Sequence, residues 1–309
     1  MPLRPTRPVL ASLRSVVRSA PVSGRRFAPY AISLVLGATL LWSDPQILRE
    51  LRDARWADRF VVHAEAALQP EPAPTDSSSA VRIDTDTSIP FPLRLQLTAH
   101  VPPLSLVGLG VRKVSFLRVK VYSVGFYVDE RALAQLDHVP GFATYTPQHL
   151  LAVPPADGGP HLQGEALIRK LLEYPAPCAI RIVPTRKTDF AHLRDGFTRA
   201  IMARQKLAHQ AGTLSHSDDH LINDAMHALK GLFPAHAIPK GKALVLYRTA
   251  KGALVVEYDG KELGKVDDPW MSRELFLAYF ADKDVISPKL KEDVAKGFEQ
   301  YVHAKVGPA

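Results

Sequence analysis

A chain of 309 residues could hold two average domains, but its proline-rich front end points to one sizeable domain behind a leader. The formal net charge of +8 is concentrated at the start, where residues 1–43 carry six arginines and no acid, so only +2 remains for the rest. A nearly neutral body without a Lys/Arg stripe excludes nucleic acid as the expected partner. The single cysteine, Cys178, excludes an internal disulfide and any Cys-x-x-Cys metal or redox motif.

Residues 1–26, arginine-rich, serine-containing and free of acid, have the composition of a mitochondrial transit peptide. Residues 27–43, FAPYAISLVLGATLLWS, are an uncharged run with Tyr30 and Trp42 near its ends. As a helix this run spans roughly 25 Å, enough for the ~30 Å hydrocarbon core once flanking residues snorkel. It predicts a single transmembrane helix; the alternative is a longer presequence removed whole. Arg25 and Arg26 precede it and Asp44 follows, which predicts an N-terminus in the matrix and a domain facing the intermembrane space from the inner membrane. Arg49, Arg52 and Arg55 weigh the other way. In residues 44–69, Leu48, Leu51, Trp56, Phe60, Ala64 and Leu68 make the apolar stripe of an amphipathic helix. Residues 70–89 turn to Pro, Ser, Asp and Thr and predict a disordered linker. The folded domain is expected over 90–306.

Within the domain, strands are predicted at 93–100, 109–117, 118–128 and 179–184, then at 242–249, 252–258 and 261–266. Lys251-Gly252 and Asp259-Gly260 supply the short turns between the last three. Helical patterns occupy 161–174, 188–210, 217–232, 269–281 and 287–304. Strands at both ends with helices between them give an α+β fold, an antiparallel sheet packed against a layer of helices. Residues 138–160, rich in Pro and Gly, predict a long loop beside the sheet.

Arg112 stands early in the first long strand and is the leading candidate site residue. Its guanidinium can grip a carboxylate or phenolate with two parallel hydrogen bonds at any physiological pH; the plainer role is a strand-end arginine meeting solvent or an acid. His216, His220 and Asp224 recur at four-residue spacing, a pattern that could present three metal donors. They fall off the apolar stripe of Leu221, Ile222, Ala225, Leu229 and Leu232, so a solvated face is expected and no metal. Gly108-x-Gly110 precedes a strand and is therefore no dinucleotide fingerprint.

The steps Gly110-Val111-Arg112 and Val124-Gly125-Phe126-Tyr127, the strand Ile180-Arg181-Ile182-Val183-Pro184 and the ending Ser272 to Phe280 resemble the chalcone isomerase-like family over about residues 90–305. The leader, the span and the wording His192 to Phe197 are closest to its fungal "altered inheritance of mitochondria" branch. The resemblance implies a chalcone isomerase fold with Arg112 at the ligand. It puts Tyr122 where catalytic members carry a threonine, Phe190 at their tyrosine and Phe197 near their asparagine. A phenyl ring holds no water by a hydroxyl and supplies no amide, so ring closure loses its positioning groups while apolar walls remain.

The reading that follows is a non-catalytic protein at the mitochondrial inner membrane binding haem or a similar apolar anion, such as a fatty acid, in a cleft between sheet and helices, through Arg112, Tyr122, Phe190 and Phe197. Haem is reported for the branch and fatty acids for other non-catalytic relatives. If haem is the cofactor, His192 is the candidate axial ligand, although its position two residues from Phe190 on a helix turns it away from the phenyl face. The alternatives are an intramolecular lyase of chalcone isomerase type and, if the cleft is filled by its own side chains, a membrane-tethered scaffold.

Overall fold

A computed structural model describes residues 80–98, 101–114, 117–152 and 162–303, all within the compact unit 74–309. The transit peptide, membrane helix and amphipathic helix expected before residue 70 lie outside the described residues. Among those described, no helix is long and apolar enough to cross a membrane.

The chain opens with β1 (Val81–Ile83), β2 (Pro90–Pro92) and β3 (Arg94–Leu95), and then enters the two longest strands, β4 (Leu104–Val114) and β5 (Val119–Asp129). Two short helices follow, α1 (Glu130–Ala134) and α2 (Pro147–Leu151), and then α3 (Glu165–Glu173), β6 (Cys178–Pro184) and β7 (Thr188–Asp189). Helices α4 (Phe190–Gln210) and α5 (Asp219–Leu232) lead through β8 (Ala237–Ile238) to the meander β9 (Leu244–Arg248), β10 (Leu254–Tyr258) and β11 (Lys261–Val266). Helices α6 (Pro269–Leu277) and α7 (Pro288–His303) close the fold.

Seven strands form one antiparallel sheet in the order β11-β10-β9-β6-β5-β4-β3. Alternate residues of its central strands face the helices, among them Tyr122, Val124, Phe126, Ile180, Ile182, Leu244 and Leu246, and enter the main core. The opposite set, including Leu109, Tyr127, Ala179, Val183 and Tyr247, lies under Phe91, Leu95 and Leu97. Both faces are covered, and for that reason the central strands read as unbroken apolar runs.

The helices meet the sheet along stripes at helical spacing: Phe190, Leu193, Phe197 and Ile201 on α4, and Ile222, Ala225, Met226 and Leu229 on α5. Asp268 caps α6, accepting from the Met271 backbone N–H at 2.6 Å, and Pro269 takes the first helical position, where no N–H is missed. Helix α7 lies directly on β4. A Cβ added to Gly108 would come within 2.5 Å of the Val294 backbone nitrogen, and one added to Gly110 would strike the backbone of Leu290. The Gly-x-Gly step is thus a seat for a helix. Beside it the ladder between β4 and β5 shifts register, and Asp293 on α7 accepts from the Leu109 N–H at 2.6 Å.

Three expectations change. The first long strand begins at Leu104, immediately after Pro102-Pro103, and not at 109, so Arg112 sits near its end and not early in it. The linker expected over 70–89 stops short: β1 pairs with β2, and Asp84, 2 % exposed, accepts from the Thr87 and Ser123 hydroxyls at 2.7 Å each. The loop expected over 138–160 contains α2, with Pro147 at its first position.

Candidate functional site

The last turns of ladder between β4 and β5 build the site. Arg112 pairs across the strands with Tyr122, which places both side chains on the helix face. The Arg112 Nη1 lies 3.5 Å from the Tyr122 hydroxyl and its Cζ 5.8 Å from the ring centroid, a long hydrogen bond combined with a cation–π approach. The guanidinium is part-buried and rests against α4 at Gly196, where an added Cβ would stand 3.4 Å from Nη1. A larger residue at 196 would crowd the cation.

The Tyr122 hydroxyl is in turn 2.9 Å from that of Tyr279, in the turn after α6, and both rings are 0 % exposed. Burial raises the Tyr279 phenol well above its ordinary pKa, the Tyr122 phenol raises it further, and Arg112 offsets only part of that. The Tyr279 phenol therefore stays protonated, and the two hydroxyls form a row that ends at a cation. Such a row can take a carboxylate at its outer end, with the guanidinium supplying charge and a hydroxyl supplying direction. Tyr279 was not among the residues singled out in the sequence. The signal available is a lone tyrosine in the apolar run Leu275 to Phe280, which needs a partner when buried.

Phe190 and Phe197 share the core with Tyr122 but are 0 % and 1 % exposed. Phe190 packs edge-on against Tyr258 at 4.8 Å and His236 at 5.1 Å, and Phe197 lies 6.0 Å from Phe233. These rings fill the space where an open cleft was expected, because interdigitated apolar side chains at interior density leave few voids. Two open recesses, of about 470 and 320 Å³, lie elsewhere: one beside Arg82, Arg94 and Tyr301, the other beside Asp129, Arg131 and Tyr174. The structure thus brings Arg112 and Tyr122 together, sets Phe190 and Phe197 behind them in the core, and leaves His192 exposed on the outer side of α4. His220 and Asp224 are likewise exposed on α5, and His216 lies in the 3-10 turn before that helix.

Comparison with known proteins agrees with this fold. The family profile described as chalcone isomerase like matches residues 102–295. "Altered inheritance of mitochondria protein 18, mitochondrial" of Debaryomyces hansenii is 31% identical over 205 residues, and its counterpart in Eremothecium gossypii is 30% identical over 205. In both cases the alignment covers 62% of this chain and 65% of the relative, so the chain spans about two thirds of the length of those proteins. Among solved structures, a fatty-acid binding protein of Arabidopsis thaliana superposes with a TM-score of 0.54 at 19% identity, covering 72% of this chain and 99% of that one.

Proposed function

The chain belongs to the chalcone isomerase-like family, and from that premise we propose that it binds a small apolar anion through Arg112 and does not turn it over. The observation that carries the reading is the row Arg112, Tyr122, Tyr279: one cation and two linked phenols at the edge of an apolar core. With phenyl rings at 190 and 197, neither of those two positions supplies a hydroxyl or an amide to hold a water.

A fatty acid suits the arrangement better than a haem. An alkyl chain can enter between rings that shift rotamers, whereas a haem needs a preformed flat slot and an axial donor. An exposed His192, and a Tyr122 phenol already engaged by Tyr279, favour the fatty acid over a haem. The fatty-acid ligand named for the plant structure supports the same choice. The mitochondrial names of the fungal relatives, with the arginine-rich leader and the span at 27–43, support a place in mitochondria, tethered to the inner membrane.

Calorimetric titration of the purified protein with palmitic acid tests the reading. Saturable binding is expected, and Arg112→Ala should weaken it by about 10- to 100-fold, the worth of one charge-assisted hydrogen-bonded contact. Equal affinity in the variant sinks the assignment of Arg112. A Soret band on protein expressed with haem supply replaces the fatty acid by haem, and rapid ring closure of an added chalcone restores the lyase. The filled interior favours one second reading, a tethered scaffold, which gains if neither ligand binds.

A further inference from the structure

A second constellation lies away from Arg112, at the corner where α4 ends and α5 begins. After Gln210 the chain turns through Gly212, whose φ of +66° suits glycine, and then through a 3-10 turn at His216–Asp218. The turn brings together three residues far apart in type of element: His209 in the last turn of α4, His216 in the 3-10 turn and Asp219 at the start of α5. Their ligating atoms all lie within 4.8 Å of one another. His209 Nε2 stands 2.7 Å from Asp219 Oδ1, and His216 Nδ1 stands 3.1 Å from Asp219 Oδ2.

The other nitrogen of His209 decides what this cluster can do. Its Nδ1 lies 3.1 Å from the Leu214 carbonyl oxygen, which can only accept, so the Nδ1 proton is committed there. A neutral His209 then presents a bare lone pair at Nε2, facing a carboxylate oxygen. Two acceptors at 2.7 Å need a positive centre between them, either a proton or a metal ion. A backbone carbonyl that holds the far nitrogen is also the usual support behind a metal-bound imidazole. Behind the carboxylate, Gln205 Nε2 donates to Asp219 Oδ1 at 2.6 Å, one helical turn before His209 on the same face of α4.

We infer that His209 Nε2, His216 Nδ1 and an Asp219 carboxylate oxygen form a site for a borderline divalent transition ion of the zinc type, with water as the remaining donor. Two imidazoles and a carboxylate are the ligand set of open zinc sites, where donors at ~2.0–2.2 Å in tetrahedral array stand ~3.4 Å apart. Reaching that array requires the His–Asp distances to widen slightly and His216, whose ring is stacked 4.2 Å from that of His209 and whose side chain is 86% exposed, to rotate out of the stack so that its Nδ1 lone pair meets the ion. The spacing His-x6-His-x2-Asp is unlike any helical repeat, and the regular triplet His216, His220, Asp224 beside it masks it in the sequence.

Untagged full-length protein stripped with EDTA should take up one equivalent of Zn²⁺, and Co²⁺ as a coloured probe should give a spectrum that zinc abolishes. Binding should disappear in Asp219→Asn and weaken at least about tenfold in Gln205→Ala, which removes only the support behind the carboxylate. His216→Ala, at an exposed position that leaves the fold intact, should also weaken it, whereas His220→Ala should not. Zinc should raise the melting temperature of the wild type and leave that of His216→Ala unchanged. No stoichiometric uptake at micromolar zinc overturns the site, as does uptake that survives both Asp219→Asn and His216→Ala.

Discussion

At the scale of single residues, the phenol pair is the most sensitive element of the candidate site. Tyr122→Phe keeps the ring and strands the Tyr279 hydroxyl in a fully buried place, which should cost about 1–3 kcal/mol. Adding Tyr279→Phe removes the stranded group, so the double variant should recover part of that loss in a urea-unfolding cycle; simple additivity would show that the two hydroxyls are not coupled. A larger buried network joins Glu274 to Arg204 at 2.7 Å and to Arg169 at 2.7 Å, with Glu165 accepting from both arginines. Burial pushes the Glu274 carboxyl up, but Arg169 and Arg204 outweigh it and hold it below its ordinary value. A group whose folded pKa is depressed stabilises above its unfolded pKa and loses that contribution as pH falls through the folded one. Acid unfolding followed by circular dichroism should therefore begin at higher pH in Arg169→Met than in the wild type. Cys178 is fully buried, which pushes its thiol up to about 12 against the pull of Arg248, so iodoacetamide should label it only after unfolding.

At the scale of elements, the contact between β4 and α7 shows how glycine sets the distance between a strand and a helix. Gly110→Ala places a methyl against the Leu290 backbone, which cannot give way, and should destabilise by about 1–3 kcal/mol or more. Gly231→Ala, near the end of α5 with nothing within 4 Å of an added Cβ, should instead stabilise by about 0.5–1 kcal/mol. Thermal melts of the two variants give opposite shifts if glycine serves close approach at one place and only adds backbone freedom at the other. The β10–β11 turn was legible for a related reason. Asp259 and Gly260 adopt φ of +49° and +75°, conformations their residue types favour locally, so the hairpin could be read without any knowledge of packing.

At the scale of the whole molecule, a sheet buried on both faces is what makes room for a closed interior, with the helices on one side and Phe91, Leu95 and Leu97 on the other. The order of the main strands and helices, the apolar runs of β6 and β9 and the helical stripes of α4 and α5 follow from periodicity and turn chemistry within a dozen residues, and those the sequence determined alone. So did the family, through Gly110-Val111-Arg112 and Val124-Gly125-Phe126-Tyr127, because those words sit on strands whose neighbours are local. What only the tertiary structure decided involves residues distant in the chain: Tyr279 meeting Tyr122 across 157 positions, Gly110 meeting Leu290, and Phe190 and Phe197 closing the space thought open. The reason is physical. Local dihedral preference and apolar spacing are written into each segment, whereas which buried hydroxyls pair, and which rings fill a gap, depends on the density of packing between segments that no single stretch encodes.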